Sequence, residues 1–462
     1  MIDYIKNNKE KIGYLLSVFA FIFYFIYSAK LSFLSGRTAW EDEAHFWTII
    51  QNCSIGQIFS LMKVEGHMML WYLVVMPFAK LNFPYPITMQ IINWLFCTFA
   101  IFVFWKKAPF NYYLKAFILL CPVFFSLYAV HARCYSIGIC FLFLACTLYK
   151  ERLKKPYLYF LMLFLSANTS LQGAIGACAL GIPFLSELFR NKSYKPAMTI
   201  LTMTSLTVLM FFFQFYNFEL TDYDASDTLI RHNIIAKILG IQKISFKSHS
   251  FHTIVEIWIF LITTFILFLK NTKTLFMYLF SFSLCGLFFL IVYSPRPWHE
   301  AFFLIYFLVI SWIFFLECSS DKYKKVLTFL IFCLFTRLIF IHISPPNGTK
   351  LFIESFEIYP ELSKGKVFTN ISPIGVSVIL PQINKQGIYL YDLNGRNLSS
   401  YECLKTYFNK QAKEYNPENL KQFLDKEKRN FLITNESIDF SKFKQIKFIP
   451  YQHNQYSIYE LF

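Results

Sequence analysis

The sequence has too few charged residues to cover a water-soluble protein of its size. Asp, Glu, Lys and Arg make up 16% of its 462 residues, whereas 56% are hydrophobic and 57 are phenylalanine. A soluble domain normally has about a quarter of its residues charged. The apolar residues also form runs of roughly 17–25 residues, the length that crosses a bilayer. This composition predicts a membrane protein with many spans.

The sequence also lacks the cysteine spacings that indicate disulfide frameworks or structural metal sites. Most of its 11 cysteines lie inside apolar runs, where cysteine acts as a small hydrophobic residue. Neither a CxxC motif nor a Cys/His ligand spacing is present. The net charge of +16 comes from short clusters between apolar runs, not from a basic face with interleaved aromatics. We therefore expect membrane lipids as partners and no nucleic acid.

Basic clusters indicate how the chain crosses the membrane, because Lys and Arg concentrate on the cytoplasmic side. The first apolar run, 12–34, is too long for the core of a signal peptide and predicts an uncleaved span. The short run 67–80 is predicted to lie at the outer interface, since a crossing there would turn Lys106, Lys107 and every later basic cluster outward. The other predicted spans are 86–105, 115–131, 133–149, 156–168, 170–189, 195–215, 252–270, 273–293, 299–317 and 323–343.

The predicted fold is mainly α, a polytopic protein with about eleven spans, a cytoplasmic N-terminus and an extracytoplasmic C-terminus. The span at 156–168 is short, which predicts a tilted or broken helix. The transmembrane domain covers 1–344 and includes two outer segments: 36–85, the first outer loop, and 216–250, which has the pattern of a helix lying in the interface plane.

The chain becomes ordinary soluble material from 345 to 462, where strand-like and helix-like runs alternate. This alternation predicts a small extracytoplasmic α/β domain. The helix-like runs lie near 371–383, 400–412 and 417–428. The strand-like runs are Val367–Thr369, Ile388–Asp392, Phe431–Thr434, Ile446–Ile449 and Tyr456–Leu461.

An acidic motif follows the first span and contains Asp42 and Glu43. One interpretation is structural, with Asp42 as the N-cap of a helix and Glu43 in its first turn. The other is chemical, with a carboxylate acting as general base at the membrane surface. Glu65 and His67 come next in the same outer loop. They are either ordinary rim residues or, together with Asp42, the ligands of a divalent metal.

Two arginines lie where predicted spans meet on the outer side, on which arginine is under-represented. Arg133, in the segment from His131 to Ser136, either snorkels to the interface or recognises a phosphate. We favour phosphate recognition, because a charge near membrane depth is costly unless it is used. Arg296 is held on a stiff turn by two flanking prolines, beside Trp298 and His299. Its alternative role is that of a snorkelling residue in an aromatic belt.

A third outer junction, Asn168–Gln172, offers amide and hydroxyl groups that suit a sugar or the capping of adjoining helices. Arg337 lies near the outer end of the last predicted span. It either extends its guanidinium to the membrane interface or faces a cavity shared with the other outer polar residues. Capping and snorkelling explain each polar cluster singly, but not why all of them fall on one side. Their shared side predicts one outward-facing site.

Three of these motifs together resemble GT-C glycosyltransferases, most nearly the protein O-mannosyltransferases and the lipid A aminoarabinose and galacturonic acid transferases. They are the acidic pair Asp42-Glu43, the stretch from Gly66-His67 to Trp71-Tyr72, and the Arg-x-Tyr of Arg133 and Tyr135. The resemblance covers about the first 190 residues. Met68 and Met69 stand where related chains usually have prolines, so the identity of the substrate is not transferable.

The resemblance implies transfer of a sugar from a polyprenyl-phosphate donor to a lipid, polysaccharide or protein acceptor, with Asp42 essential. We expect Asp42, beside Glu43, to take the acceptor proton, and Arg133 and Arg296 to stabilise the departing phosphate, with inversion at the anomeric carbon. A helix at 227–240 is a candidate lid. The expected substrate-binding residues also include His67, Tyr135, Gln172 and His299. A transporter or lipid flippase, and an O-antigen-type polymerase or ligase, stay open as alternatives.

Overall fold

The computed structural model describes residues 2–215, 251–291 and 296–340, and shorter segments beyond them. The predicted interfacial helix and lid in 216–250 lie outside the described residues. The described segments of the C-terminal part are 362, 365–369, 380–385, 387–392, 395–405, 424, 429–434, 444–451 and 454–461.

Most described residues before 341 are helical. A π-helical turn, Lys30–Leu34, continues the first helix. The helices are α1 (Ile2–Ala29), α2 (Glu41–Asn52), α3 (Ile55–Glu65), α4 (Leu70–Lys80), α5 (Ile87–Lys107), α6 (Tyr112–Leu119), α7 (Tyr135–Leu148), α8 (Pro156–Ala167), α9 (Leu171–Arg190), α10 (Tyr194–Phe215), α11 (Phe251–Phe268), α12 (Thr272–Ile291), α13 (Pro297–Glu300), α14 (Phe302–Glu317) and α15 (Asp321–Ile339).

The described residues contain 6 helices that are long and apolar enough to cross a membrane. The prediction of a helical protein with several membrane spans is therefore confirmed in its coarse form. The predicted number of spans, about eleven, is larger than the 6 found among the described residues. The 6 helices are Asn8–Leu34, Ile87–Lys107, Leu171–Arg190, Tyr194–Phe213, Thr272–Phe289 and Pro297–Glu317.

Helix α8 has 12 residues, so it is about 18 Å long and too short for a straight crossing of about 30 Å. The segment predicted as a tilted or broken helix at 156–168 thus forms a short regular helix, and its tilt stays a prediction. Helix α4 has 11 residues and is about 16 Å long. It is also too short to cross, in line with the interfacial position predicted for 67–80.

The predicted span 115–131 is not one helix. Helix α6 ends at Leu119, and Pro122 precedes a π-helical turn over Val123–Tyr128. Proline has no amide hydrogen and its ring collides with the preceding turn, so it kinks or breaks an α-helix, and here the helix is broken. The chain then forms a buried turn at 129–134 before α7 begins at Tyr135. This break in the helix places Arg133 inside the protein.

The described chain forms two compact units. The helical unit comprises the described residues of Met1–Leu34, Ile91–Phe213 and Asp227–Pro345. The mixed unit comprises those of Ser35–Gln90 and Pro346–Phe462, with a short segment after Phe213. The first outer loop therefore folds with residues that lie far later in the chain.

The mixed unit contains one five-stranded sheet of order β2-β1-β3-β5-β4. Strands β1, β2 and β3 are parallel, with Val367 of β1 opposite Leu390 and Phe431, and β5 is antiparallel to both β3 and β4. Each strand coincides with a predicted strand-like run. The elements are β1 (Gly365–Thr369), α16 (Leu380–Lys385), β2 (Leu390–Asp392), α17 (Tyr401–Lys405), β3 (Arg429–Thr434), β4 (Lys444–Tyr451) and β5 (Asn454–Leu461).

Two helices of the first outer loop pack on this C-terminal part. Helix α2 contacts α16 and α17, and α3 contacts α17. Helix α4 and the first residues of α5 complete the loop's contribution to the unit. The acidic motif at the start of α2 is therefore positioned by a body that includes the α/β material.

Segments of the helical unit that were predicted to be cytoplasmic contact one another. The Tyr113 hydroxyl donates to the carbonyl of Lys9 at 2.8 Å, and the Lys115 ammonium donates to the carbonyl of Trp105 at 2.8 Å. A second group, the Arg152 network, joins four more helix ends. Its members are Arg152, Glu187, Lys273 and Glu317.

Candidate functional site

The acidic motif forms the first turn of α2, which begins at Glu41 after the N-cap residue Trp40. Acidic side chains suit this position, because the unpaired amides of a helix N-terminus carry partial positive charge. The Trp40 amide donates to Glu43 Oε2 at 2.9 Å. The interpretation of Asp42 as the N-cap is therefore wrong. Trp40 is the N-cap residue, and Glu43 provides the carboxylate that caps the turn.

Glu43 is also committed to a buried ion pair. Arg37 approaches it with both terminal nitrogens, Nη1 to Oε2 at 2.9 Å and Nη2 to Oε1 at 3.0 Å. The two side chains are 3% and 0% exposed. Gln90 donates from Nε2 to the Arg37 carbonyl at 2.9 Å, which fixes the loop that carries the arginine. A carboxylate held in this way positions the turn and is a poor carrier of a substrate's proton.

Asp42 and Glu41 are the half-buried carboxyls of the same turn. Burial, together with the neighbouring Asp42 carboxylate, raises the pKa of Glu41 above its usual value. Adjacent carboxyls in different environments are a common arrangement for acid–base chemistry. Asp42 therefore keeps the accessible position that a general base needs.

Glu65 is held by two partners on other helices. It ends α3, and Gly66 stops the helix with a φ of 67°, a conformation that favours glycine. His45 Nε2 lies 2.6 Å from Glu65 Oε1, and the Tyr72 hydroxyl donates to Glu65 Oε2 at 3.0 Å. All three side chains are buried or nearly so.

The described residues contain no group of three or more His, Cys, Asp or Glu side chains arranged to hold a metal ion. The expected set of Asp42, Glu65 and His67 is therefore not assembled as a ligand group. The physical reason is that Glu65 turns toward His45 and Tyr72, while His67 lies in the half-buried turn before α4.

The helical unit brings together two motifs that are far apart in sequence. We call this set the His299 cluster; its members are His131, Arg133, Tyr135, Trp298 and His299. The Tyr135 hydroxyl lies 2.7 Å from His299 Nε2, and the His131 ring stacks on Trp298 with centroids 4.5 Å apart. His131 is 1% exposed, Arg133 6% and His299 9%. Two of the predicted outer junctions therefore form a single buried polar site.

Hydrogen-bonding groups reach both ring nitrogens of His299. The Arg296 amide lies 3.2 Å from Nδ1, and the Trp298 indole nitrogen lies 3.1 Å from Nε2. The Tyr135 hydroxyl lies 2.7 Å from the same Nε2. Contacts at both nitrogens therefore fix the orientation of the ring.

The turn that carries Arg133 is held by side chains that satisfy its carbonyl groups. Asn93 Nδ2 lies 2.9 Å from the Tyr128 carbonyl and 3.1 Å from that of Ala129, and the Ser136 hydroxyl also donates to Tyr128 at 2.7 Å. Buried irregular backbone requires such partners, because no water is there to replace the missing helix bonds. The break is thus a built feature of the protein.

Arg296 differs from Arg133 in its surroundings. It is the exposed N-cap of the short helix α13, and Pro297 follows at the first helical position. Its backbone contributes to the His299 cluster through the amide bond to His299. Arg133 is a buried member of the cluster. Arg296 is exposed and precedes the cluster residues Trp298 and His299 in the chain.

The third outer junction caps a helix, as one of its two interpretations predicted. The Ser170 hydroxyl accepts from the Gly173 amide at 3.1 Å and so caps α9. Gln172 is buried in the first turn, and its carbonyl accepts from the Tyr306 hydroxyl at 2.7 Å. Arg337 lies in the last turn of α15.

Three residues of these sites were not anticipated from the sequence: Arg37, His45 and Tyr72. The sequence spacing could have indicated His45. It follows Glu41 by four positions and Asp42 by three, so a helix places it on the same face as both. Arg37 lies in an irregular loop, where spacing predicts no partner. Tyr72 was considered only as part of an apolar-aromatic stretch.

The chemistry-bearing residues divide between the units. Asp42, Glu65 and His67 belong to the mixed unit, while Arg133, Tyr135, Gln172, Arg296 and His299 belong to the helical unit. Comparison with known proteins identifies no relative: no family model matches the chain, and no curated protein or solved structure matches it. Functional inference therefore rests on the residues and their geometry.

Proposed function

We propose that the protein is an integral membrane glycosyltransferase. It moves a sugar from a polyprenyl-phosphate-linked donor to a lipid, polysaccharide or protein acceptor at the outer face of the cytoplasmic membrane. The observation that carries the proposal is the His299 cluster: Arg133 is buried on the turn that leads into Tyr135, and the Tyr135 hydroxyl lies 2.7 Å from the distant His299. A buried guanidinium suits a phosphate monoester or diester.

In the proposed reaction, Asp42 takes the proton of the acceptor hydroxyl as that oxygen attacks the anomeric carbon. The new carbon–oxygen bond forms on the face opposite the bond to the phosphate, which breaks and leaves the electron pair on polyprenyl phosphate. The configuration at the anomeric carbon is therefore inverted. Glu43 keeps its pair with Arg37 and holds the turn throughout.

The leaving phosphate gains negative charge as the sugar departs, and preorganised cations stabilise that charge. Arg133 and Arg296 supply the guanidinium groups. His299 orients the Tyr135 phenol, whose hydroxyl lies 2.7 Å from Nε2.

The composition of the mixed unit supports the proposed sidedness. Because Ser35–Gln90 and Pro346–Phe462 fold together, both must lie on the same side of the membrane. The chain between them must then cross the membrane an even number of times, which the predicted threading satisfies. Contacts among the predicted cytoplasmic segments agree with the same threading.

The first prediction concerns Asp42. The test uses purified protein in nanodiscs with a panel of synthetic polyprenyl-phosphate hexoses and pentoses and a total membrane extract as acceptor. Release of polyprenyl phosphate, measured by mass spectrometry, reports transfer whatever the acceptor. We expect Asp42→Asn to lower the rate at least about 100-fold, the scale of a lost general base.

Asp321→Asn is the matched control, because Asp321 is an exposed carboxylate in the first turn of another helix. It should release donor at the wild-type rate. Wild-type turnover by Asp42→Asn would contradict the mechanism. Movement of an intact donor across the bilayer without a glycosidic product would instead indicate a flippase.

A further inference from the structure

A groove with a volume of 320 Å³ lies between α1 and α6 of the helical unit. Its floor contains two small residues, Ala20 and Ala116, which are 4% and 8% exposed. Its walls include the far more exposed rings of Phe19 and Phe23. Tyr113 is the one polar side chain among the lining residues. This lining suits a hydrocarbon chain, because it offers apolar contact and little hydrogen bonding.

Tyr113 closes one end of the groove. The edge of its ring packs against Gly13, where an added Cβ would approach Cε2 to 2.9 Å. Its hydroxyl donates to the Lys9 carbonyl at 2.8 Å. Lys9, Gly13, Leu16 and Ala20 follow one another at spacings of four, three and four residues, so they share one face of α1. An ammonium group therefore lies on the helix face that carries the groove, about 10 Å before the first groove residue, Leu16.

The end of α5 brings two further lysines to the same end of the helices. Lys106 and Lys107 are its last residues, and the Lys106 ammonium lies 4.3 Å from the centroid of the Trp105 ring. The Trp105 indole in turn donates to the Ser17 hydroxyl of α1 at 3.0 Å. The lysines that end α5 are thus held against the first half of α1.

Positive charge predominates at this end of the three helices. The described segments 8–17 and 103–117 contain one acidic residue, Glu10. Exposed lysine side chains at the ends of membrane spans attract anionic lipid headgroups. The exposed lysines of these segments are Lys9, Lys11, Lys106 and Lys107. The apolar groove therefore leads toward a group of cations, which is the arrangement that complements an anionic lipid.

The opposite ends of the same helices lead to the His299 cluster. Trp94 of α5 donates to the Ser28 hydroxyl of α1 at 2.9 Å. The neighbouring Asn93 donates to the Tyr128 carbonyl, which lies in the segment leading to Arg133. A phosphate beside the lysines is therefore a different group from the donor phosphate assigned to Arg133.

We propose that the protein binds an anionic phospholipid between α1 and α6. One acyl chain lies in the groove, and the headgroup phosphate lies at the lysine end, where Lys9 and Lys106 bind it. Apolar burial and electrostatic attraction then act on one molecule, the combination that makes lipid binding stable. The proposal does not use sugar transfer, so it and the proposed function can fail separately.

Native mass spectrometry of the purified full-length protein in detergent measures the binding. The probes are phosphatidylglycerol, phosphatidylcholine with the same acyl chains, chain-free glycerophosphoglycerol, and polyprenyl monophosphate. We expect phosphatidylglycerol to bind about tenfold or more tightly than phosphatidylcholine, because only the former has a net negative charge. Glycerophosphoglycerol should bind far more weakly than either lipid. Equal affinity for the two phospholipids, or for phosphatidylglycerol and its chain-free headgroup, would overturn the proposal.

A charge variant tests the headgroup end. Lys9→Gln/Lys106→Gln should weaken phosphatidylglycerol binding about tenfold and leave phosphatidylcholine binding unchanged. Lys192→Gln/Lys195→Gln is the matched control, because it removes two exposed lysines between α9 and α10. The control should bind as wild type does. Equal losses in the two double variants would show general attraction to a basic protein and no site.

A filling variant tests the groove. Ala20→Leu occupies the floor and should weaken phosphatidylglycerol binding about fivefold or more, because the acyl chain loses apolar contact. Cys178→Leu adds bulk at an exposed position on α9 and should bind as wild type does. If Ala20→Leu folds poorly, Ala116→Leu fills the same groove from α6. Wild-type affinity in the folded filling variant would refute the site.

Competition identifies the class of lipid. Polyprenyl monophosphate should leave phosphatidylglycerol bound, since its phosphate is assigned to the other end of the helices. Displacement of phosphatidylglycerol by polyprenyl monophosphate, with the same sensitivity to the charge and filling variants, would assign the groove to the polyprenyl lipid and overturn the phospholipid proposal.

Discussion

At the residue scale, neighbouring carboxyls of one helical turn have different partners. Glu43 turns inward to Arg37 and to the Trp40 amide, whereas Asp42 stays half-buried. The difference follows from the helix, since successive side chains point about 100° apart around its axis. One residue of the motif therefore fixes the geometry of the turn, and its neighbour keeps part of its side chain open to solvent.

This division predicts how the variants at the two positions differ. Glu43→Gln leaves the Arg37 guanidinium buried without its counter-charge, a change that costs about 3–5 kcal/mol. We expect a clearly lower thermal unfolding midpoint in detergent, followed by tryptophan fluorescence.

Asp42→Asn serves as the comparison and should unfold within a few degrees of wild type. The double variant Arg37→Met/Glu43→Leu, which removes both charges, should be more stable than Glu43→Gln. If Glu43→Gln were no less stable than Asp42→Asn, the assignment of Glu43 to a structural pair would be wrong.

At the element scale, the central feature is the break between α6 and α7. Pro122 ends the regular hydrogen bonding, and the amide of Asn93 on α5 binds two of the carbonyls that the break leaves. The position of Arg133 therefore depends on a neighbouring helix. A continuous helix would have carried the same residue along a regular face of the bundle.

Asn93→Leu should consequently destabilise the site as well as the fold. It leaves the Ala129 carbonyl without this donor, at about 1–3 kcal/mol for an unsatisfied group, while Ser136 still donates to the Tyr128 carbonyl. We expect a lower unfolding midpoint and slower donor release than wild type. Asn168→Ala provides the control, because the Asn168 side chain bonds to the Phe164 carbonyl of its own helix. An Asn93→Leu variant as stable as the control would show that other groups hold the turn.

At the scale of the whole molecule, the Arg152 network binds four helix ends. Arg152 Nε contacts Glu187 Oε2 at 2.6 Å, Lys273 contacts the same glutamate, and both cations reach Glu317 at 3.3 and 3.4 Å. Two cations and two carboxylates balance each other. Their exposures of 10–33% show that water and salt have partial access to the group.

Reversal of one charge in this network should lower the thermal unfolding midpoint far more than exchange of two opposite charges. Glu187→Arg places three cations around one carboxylate and should lower the unfolding midpoint sharply. The exchange variant Arg152→Glu/Glu187→Arg should recover much of the loss, and added salt, at about 1 M, should narrow the difference between the variants. Equal midpoints for the single and exchange variants would show that the network does not couple the helices.

The sequence predicted the parts of the structure that local patterns determine. Apolar length located the long helices, and alternation located all five strands, because both are properties of consecutive residues. The break at Pro122 was missed because the apolar run continues through it. The pairing of Glu187 and Glu317 with Arg152, and of Glu65 with His45, depends on helix packing that no local spacing encodes.

The candidate site was predictable in its parts but not in its connections. The segments carrying Arg133 and His299 were each recognised by polar residues at an apolar boundary, and the structure joins them through Tyr135. The described residues do not assemble Asp42, Glu65 and His67 into a group of three metal ligands, and Glu65 pairs with His45 on α2. A single sequence shows which residues are unusual, whereas the partner of each one depends on the fold.

The discontinuous mixed unit has a consequence for biosynthesis. Ribosomes add about 5–20 residues per second, so the strands after residue 345 emerge roughly 10–50 seconds after the loop that contains α2 and α3. During that delay the surfaces of α2 and α3 that later contact α16 and α17 are exposed. A nascent chain stalled before residue 346 should therefore expose these helix surfaces to chaperones and proteases.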